Sequence, residues 1–431
     1  MLAPLPLDRS FPAPRSALRR LCAAALLVLA ASSAACATGS TVNNTAGGSG
    51  GTGGRPETGG EGGTGGETGG TTSQGGTTTT TSTTGGAGGA FVESACPPGS
   101  FAIGLDFENK LACQPIATAV RDSVNAGCSV YLGWQDSCTG CDLPPTKWGS
   151  TSPAGCQIGA GAGNTCTAPA LDGAAIQLFG LDFDGDVNDD DKLHLGLHCP
   201  AVDGTAVKGP CETGSYAASL GEETTTCVPA AAPIIDHVRA RCSLYFGWRD
   251  DCNGCTSAPD RWGNVGPTSC TIGSGDTSTC DTFPLGPSDV QLFGLNTGGD
   301  VDGNDKLYLA LHCNEPQPAT TMTKGACPAG QLITAVAADG TLTCESPEQT
   351  VASYFGEHCT FYFGVRDGCN GCGDPPTKWG RVKNGFCTND NGVDNTCTQS
   401  ILGGKTLEML GLNFDGDVDG NDKLYVGFRC D

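Results

Sequence analysis

Of the 26 cysteines in this chain, 24 fall into one frame of eight that occurs three times. The copies run from Cys96 to Cys199, from Cys211 to Cys313 and from Cys327 to Cys430. Successive cysteines are 17, 15, 10, 3, 15, 10 and 33 residues apart in copies one and three, and copy two differs only in its first step of 16. This agreement predicts three tandem repeats of one unit. An even number of cysteines in each copy predicts disulfides closed within the copy, and therefore an oxidising compartment.

The spacing leaves most of the disulfide connectivity open. The first two cysteines of each copy flank a predicted hairpin, so we expect the bridges Cys96–Cys113, Cys211–Cys227 and Cys327–Cys344. The Cys-x-x-Cys pairs are Cys138/Cys141, Cys252/Cys255 and Cys369/Cys372. In a cytosolic protein such pairs indicate zinc or thiol redox chemistry. In an exported repeat we favour disulfides, with zinc and redox work as the alternatives.

The residue patterns predict a mainly β fold of small disulfide-rich units, each with one short helix. We expect units at 95–200, 209–314 and 325–431, and helices near 115–125, 233–241 and 348–357. Asp339-Gly340 between two β-rich runs is a hairpin turn signal. Near the end of copy one, Leu193, Leu195, Leu197 and Cys199 alternate, which predicts a half-buried strand.

The N-terminus predicts export. Residues 1–35 have the pattern of a signal peptide, with arginines before an apolar run too short to span a membrane. Ser33-Ala34-Ala35-Cys36 resembles a bacterial lipobox, which predicts lipid attachment at Cys36. Cleavage after Ala37 is the alternative and would discard Cys36. We therefore expect a lipoprotein of the outer membrane or cell surface, or otherwise a secreted protein.

Residues 36–90 are dominated by glycine, threonine and serine and predict a disordered tether behind the anchor. A leader followed by such a tether resembles the N-terminal region of bacterial surface lipoproteins. The formal net charge of −23 offers no basic face for phosphates and excludes nucleic acid as the expected partner. The same charge disfavours docking on anionic lipid, so we expect membrane contact only through the N-terminal lipid.

An Asp-rich segment near the end of each copy is the strongest candidate binding signal. Alternating carboxylates with glycines suit Ca²⁺, which takes about six to eight oxygen ligands. The candidate ligands are Asp184, Asp186, Asn188 and Asp191 in copy one, Asp300, Asp302 and Asp305 in copy two, and Asp415, Asp417, Asp419 and Asp422 in copy three. Copy two has Gly298 at the first position, so it should bind most weakly. We expect a structural Ca²⁺ ion; a solvated turn is the alternative, because Asp, Asn and Gly also favour turns.

A tryptophan on a Pro-rich loop recurs in each copy and follows a basic residue. The pairs are Lys147 and Trp148, Arg261 and Trp262, and Lys378 and Trp379. An exposed indole could stack on a sugar, with the basic group bonding to hydroxyls, and three copies would add avidity. The alternative, which we favour, is that each indole packs in a small core.

Catalysis has little support in the sequence. The five histidines are His194, His198, His237, His312 and His358, and no histidine position is shared by all three copies. The common hydrolase, metalloprotease and phosphate-binding motifs are absent from the three copies. We therefore expect a protein without enzymatic activity.

Three segments of copy three carry a family resemblance: residues 362–372, 375–380 and 416–425. Together they resemble tandem cysteine-rich modules of extracellular, matrix-type proteins, a group without an established activity. The resemblance implies an extracellular location and modular use. With the residue patterns, it predicts a surface or secreted adhesion protein that binds an extracellular polymer, glycan or surface protein. A lectin-like protein that uses the loop tryptophans and a purely structural envelope spacer are the alternatives.

Overall fold

A computed structural model describes residues 91–202, 207–208, 211–212, 214–220, 225–315, 319–414 and 416–431. The predicted signal peptide at 1–35, the lipidation site Cys36, the tether at 36–90 and the candidate ligand Asp415 lie outside the described residues. The described chain is mainly β with one short helix in each copy, as the sequence predicts.

Copy one and the strands that flank it have these elements, in chain order: β1 (Ser94–Ala95), β2 (Ser100–Leu105), β3 (Leu111–Pro115), α1 (Ile116–Gly127), β4 (Ser129–Gln135), β5 (Lys147–Ser152), β6 (Gly155–Ala160), β7 (Thr165–Thr167), β8 (Ala170–Leu171), β9 (Ala174–Ala175), β10 (Leu178–Asp182), β11 (Lys192–His198) and β12 (Val207–Lys208).

Copy two continues with β13 (Ser215–Leu220), β14 (Thr225–Pro229), α2 (Ala231–Arg241), β15 (Cys242–Arg249), β16 (Arg261–Val265), β17 (Cys270–Ser274), β18 (Thr279–Leu285), β19 (Ser288–Asn296) and β20 (Lys306–Cys313). Next come β21 (Thr320–Lys324), β22 (Leu332–Val336), β23 (Thr341–Glu345), α3 (Glu348–His358), β24 (Cys359–Arg366), β25 (Lys378–Lys383), β26 (Phe386–Asn391), β27 (Thr396–Leu402), β28 (Lys405–Asn413) and β29 (Lys423–Cys430).

The three copies share their main sheets by exchanging strands. Sheet I has the order β18-β19-β11-β4-β5-β6, so two strands of copy two extend four strands of copy one. Sheet II has the order β17-β16-β15-β20-β28-β27, in which copy three extends copy two. Sheet III has the order β26-β25-β24-β29-β10-β7, in which copy one extends copy three. The exchange is therefore cyclic, and it relates the copies by an approximate threefold axis.

Each exchange junction is an antiparallel strand pair of matching register. Lys192 of β11 lies opposite Asn296 of β19, Lys306 of β20 opposite Asn413 of β28, and Lys423 of β29 opposite Asp182 of β10. The last of these pairs joins the first copy to the third. Each copy supplies main-chain partners to its neighbour, and each of the three six-stranded sheets contains strands of two copies.

Helices and hairpins from the three copies also meet. In α1, Ile116, Val120 and Val124 recur every four residues and are fully buried, as expected for one apolar helix face. The three helices pack on one another, and so do the hairpins β2–β3, β13–β14 and β22–β23. One large apolar core contains residues of all three copies. A second, smaller core lies among the hairpins.

Disulfides follow one connectivity in every copy: first to second, third to eighth, fourth to fifth and sixth to seventh cysteine. The pairs are Cys96–Cys113, Cys128–Cys199, Cys138–Cys141 and Cys156–Cys166; Cys211–Cys227, Cys242–Cys313, Cys252–Cys255 and Cys270–Cys280; and Cys327–Cys344, Cys359–Cys430, Cys369–Cys372 and Cys387–Cys397. This many disulfides is typical of an exported or extracellular protein. Within the described ranges, no helix is both long and apolar enough to cross a membrane.

One burial prediction was wrong. The alternating strand β11 is buried on both faces from Lys192 to Leu197, not half-buried. Leu193, Leu195 and Leu197 face the large core, whereas the other face lies near a smaller cluster that contains Tyr131 and residues of copy two. The sequence pattern could not show this second layer, because another copy supplies it.

Candidate functional site

The Asp-rich segments connect strands of different sheets and meet at the threefold axis. We call them the axial loops: residues 183–191, 297–305 and 414–422. The amide of Val301 donates to the carbonyl of Val187 at 3.0 Å, that of Val187 to Val418 at 3.0 Å, and that of Val418 to Val301 at 2.9 Å. This closed ring of hydrogen bonds holds three valines that are each 3–4% exposed. The axial loops therefore form the joint of the three copies.

The last carboxylate of each axial loop is buried and bonded to main-chain amides. Asp191 accepts from the amides of Ser137 and Asn188, each at 2.9 Å. Asp305 accepts from Asp251 and Asp302, and Asp422 from Gly368 and Asp419, at 2.9–3.0 Å. These bonds tie each axial loop to the loop that carries the Cys-x-x-Cys pair of the same copy.

The electrostatic environment of these three carboxyls disfavours their charge. Burial raises the pKa of Asp191 to about 6, that of Asp305 to about 7 and that of Asp422 to about 6. The amide donors oppose this shift, while a neighbouring acid of the same copy adds to it. A nearby cation would reverse the effect by favouring the ionised form.

The other candidate calcium ligands do not converge with these carboxyls on one point. Asp186, Asp300 and Asp417 are exposed, and Asp184 lies 3.5 Å from the ammonium of Lys147. Asn188, Asp302 and Asp419 each accept an amide bond from the residue two positions later. Among the described residues, no group of three or more His, Cys, Asp or Glu side chains is placed to hold a metal. Calcium binding at the axial loops therefore stays a prediction.

A buried lysine directly after each axial loop was missed by the sequence reasoning. Lys192, Lys306 and Lys423 are fully buried. Their ammonium groups donate to the carbonyls of Cys141, Cys255 and Cys372 at 2.7–2.9 Å. They also donate to the hydroxyls of Thr279, Thr396 and Thr165, which belong to the neighbouring copy. Burial lowers the pKa of Lys306 to about 8. The repeated Asp-Lys-Leu was the available signal.

The basic residues before the tryptophans point to the axial loops. Lys147 is 7% exposed and donates to the carbonyl of Phe183 at 3.1 Å, and Lys378 is 6% exposed and donates to that of Phe414 at 3.3 Å. Arg261 bonds to Asn296, and its guanidinium occupies the space where Gly298 would otherwise carry a side chain. Arg261 thus explains why copy two has glycine at this position. These contacts give the three basic residues a structural role and do not support the predicted sugar contact.

The three tryptophans pack beside tyrosines. Trp148 lies 6.1 Å from Tyr131 between ring centroids, Trp262 6.0 Å from Tyr245, and Trp379 6.0 Å from Tyr362. Trp379 is 9% exposed, and the other two are partly buried. A Cβ at Gly159 or Gly273 would meet the indole of Trp148 or Trp262 at 2.3 Å. The favoured alternative, an indole in a small core, describes this packing, and a free stacking platform does not.

Comparison with known protein families, with curated proteins and with solved structures found no match to this chain.

Proposed function

We propose that the protein is an exported, non-catalytic binding protein of the cell surface, which attaches to an extracellular polymer, glycan or surface protein. This proposal rests on a contrast between the buried contacts of the protein, which repeat in all three copies, and its surface residues, which vary. The axial loops, the buried lysines and the disulfides repeat in all three copies. The outer surface varies, because the exposed position two residues after each Cys-x-x-Cys pair holds Leu143, Ser257 or Asp374. A scaffold kept constant under a varied surface suits binding better than a plain spacer.

The positions of four of the five histidines support a function without catalysis. His194 and His237 are 1–2% exposed and far from solvent, His358 stacks on Tyr354, and His312 contacts Asn314 and Lys405. General acid–base chemistry needs a titratable group that reaches substrate. Of the described histidines, His312 hydrogen-bonds to an amide and an ammonium group rather than to a carboxylate.

Attachment to the cell surface is the finer part of the proposal. Cys36 would carry the lipid, and residues 37–90 would hold the disulfide-linked body away from the bilayer. Metabolic labelling with a fatty acid tests this directly. Label should appear on the wild-type protein and be lost in Cys36→Ala, whereas label in both or in neither rejects the anchor.

Calcium binding is a second part of the proposal. It is supported by the raised pKa values of Asp191, Asp305 and Asp422, each of which has a second acid beside it (Asp136, Asp250 and Asp367). A divalent cation bound there would lower those raised pKa values. Thermal unfolding of the oxidised protein in millimolar CaCl₂ and in excess EDTA tests it. Saturation at about 100 times the dissociation constant stabilises by about 2.7 kcal/mol. An unchanged unfolding temperature would contradict it.

Adhesion itself is tested with the purified oxidised protein on intact cells and on immobilised extracellular polysaccharide. Saturable binding is expected, with reduced and alkylated protein as the unfolded control. Equal binding by the folded and unfolded forms, or none by either, would reject the binding function and favour a spacer.

A further inference from the structure

The outer face of sheet I carries a groove of about 380 Å³ where copy one meets the β18–β19 hairpin of copy two. Strands β4, β5 and β6 form its floor and one wall, and the start of β19 forms the other. The lining side chains that matter here are Ser129, Tyr131, Ser150, Gln157, His198 and Ser288. Its volume lies within the range of about 300–1,000 Å³ that is typical of small-ligand sites.

The groove is polar but uncharged. Its serine and tyrosine hydroxyls and the Gln157 amide can both donate and accept hydrogen bonds. Burial and the nearby Arg239 lower the pKa of His198, so its imidazole is neutral at pH 7. Among the described residues that line the groove, none carries a carboxylate, ammonium or guanidinium group. This is unusual on a chain with a net charge of −23.

The equivalent place in copy two is closed by a lysine. Lys405 takes the position of Ser288, and His312 takes that of His198. The ammonium of Lys405 lies 3.1 Å from Nε2 of His312 and also bonds to Asn314. It therefore spans the two positions that line opposite sides of the groove in copy one.

The equivalent place in copy three is filled by charged pairs. Arg381 takes the position of Ser150 and forms ion pairs with Asp172, from the hairpin of copy one, and with Asp390. Arg429 replaces the histidine. Small uncharged residues at positions 150 and 288 thus leave only the copy-one groove of these three equivalent places both open and neutral in the described structure.

We propose that the copy-one groove binds a neutral sugar residue of a polysaccharide or glycan. Hydroxyl, amide and neutral imidazole groups match the donors and acceptors of sugar hydroxyls, and the half-buried His198 ring offers apolar surface to the C–H groups of a sugar. The absence of a cation in the lining disfavours acidic sugars. This inference deepens the proposed binding function and rests on it, but it places the site away from the loop tryptophans.

The probe is an array of neutral and acidic glycans, followed by calorimetric titration with the neutral glycan that is retained most strongly. Ser288→Lys and Ser150→Arg introduce the residues that copies two and three already hold at these places, so both variants should fold. Each should weaken binding about tenfold or more, since groove hydroxyls would lose their ligand partners. Ile158→Lys, which adds the same charge at an exposed position of β6 outside the groove lining, is the matched control and should bind within about threefold of wild type. Thermal unfolding checks that each variant is intact.

Two results would overturn the inference. One is retention of acidic glycans only, or of no glycan. The other is a neutral glycan that binds Ser288→Lys and Ser150→Arg as tightly as wild type. If the protein still adheres saturably to cells in either case, the proposed binding function stands and only the groove is rejected. If adhesion fails as well, both are rejected.

Discussion

The amide of Val301 donates a 3.0 Å hydrogen bond to the carbonyl of Val187, a residue of a different copy. The same contact recurs from Val418 to Val301 and from Val187 to Val418. Tandem repeats usually contact only their neighbours in a line. Here the third copy returns to the first, so the repeat closes on itself.

This closure predicts that the copies stay together after the chain is cut. Protease sites inserted after Pro200 and after Glu315, both at exposed positions between copies, should yield three fragments on denaturing gels. Under native, oxidising conditions the fragments should elute as one particle, because each main sheet contains strands of two copies. Size-exclusion chromatography with light scattering measures this. Separate fragments of one-third mass would show that each copy folds alone.

The sequence predicts the local elements of this fold better than the strand pairing between copies. The helix before each central strand and the turn at Asp339-Gly340 were predictable, because helix periodicity and turn chemistry are local signals. Strand exchange was not, because β10, β19 and β28 have similar sequences and any of them could pair with β11, β20 or β29. Which pair forms depends on how the axial loops cross between sheets, and that is a property of the assembled body.

For the candidate sites, too, the sequence predicts the location of a segment but not the contacts that its side chains make. The Asp-rich pattern located the axial loops, but it could not show that Asp191 bonds to amides while Asp186 faces solvent. The surface groove takes its lining from two copies, so no local motif could have predicted it.

The buried acids of the axial loops should matter for stability, and the exposed ones should not. Asp305→Ala removes the acceptor for the amides of Asp251 and Asp302 and should lower the free energy of unfolding by about 2–4 kcal/mol. Asp300→Ala in the same loop is the control and should change it by less than about 0.5 kcal/mol. Denaturant unfolding with EDTA present gives both values. Equal effects would contradict the assigned roles.

His194 should lower the stability of the folded protein. Both its ring nitrogens are buried without a partner in the described structure, whereas Tyr308 and Tyr425 hold the equivalent positions and donate to loop carbonyls at 2.9 and 2.8 Å. His194→Phe should raise the free energy of unfolding by about 1–2 kcal/mol by removing unpaired polar atoms. His194→Tyr should add about 1 kcal/mol more through the hydroxyl. Both variants place a larger ring against Phe283, so any crowding there affects both and cancels when the two variants are compared with each other. A His194→Phe variant less stable than wild type would refute this.

Lowering the pH should increase the difference in free energy of unfolding between His194→Phe and wild type. Burial, with a smaller contribution from Lys192, lowers the pKa of His194 to about 3. The unfolded chain takes up a proton near pH 6.5 while the folded chain does not, so this histidine costs stability as the pH falls below that value. From pH 7.5 to pH 5 the variant's advantage should grow by about 2 kcal/mol. Urea unfolding across this range measures it, and a constant difference would show that His194 takes up its proton as readily in the folded protein as in the unfolded chain.

The pairing of Asp182 in β10 with Lys423 in β29 determines when sheet III can form after synthesis. Strand β10 precedes β29, its partner in sheet III, by a long stretch of chain, since residue 423 follows residue 182 by 241 positions. Sheet III therefore cannot be completed before the chain that contains β29 is available. Until then β10 presents an open edge, of the kind that pairs with other chains. Completion of sheet III should thus wait for β29, and chains stalled before residue 423 should be the ones that aggregate or are degraded.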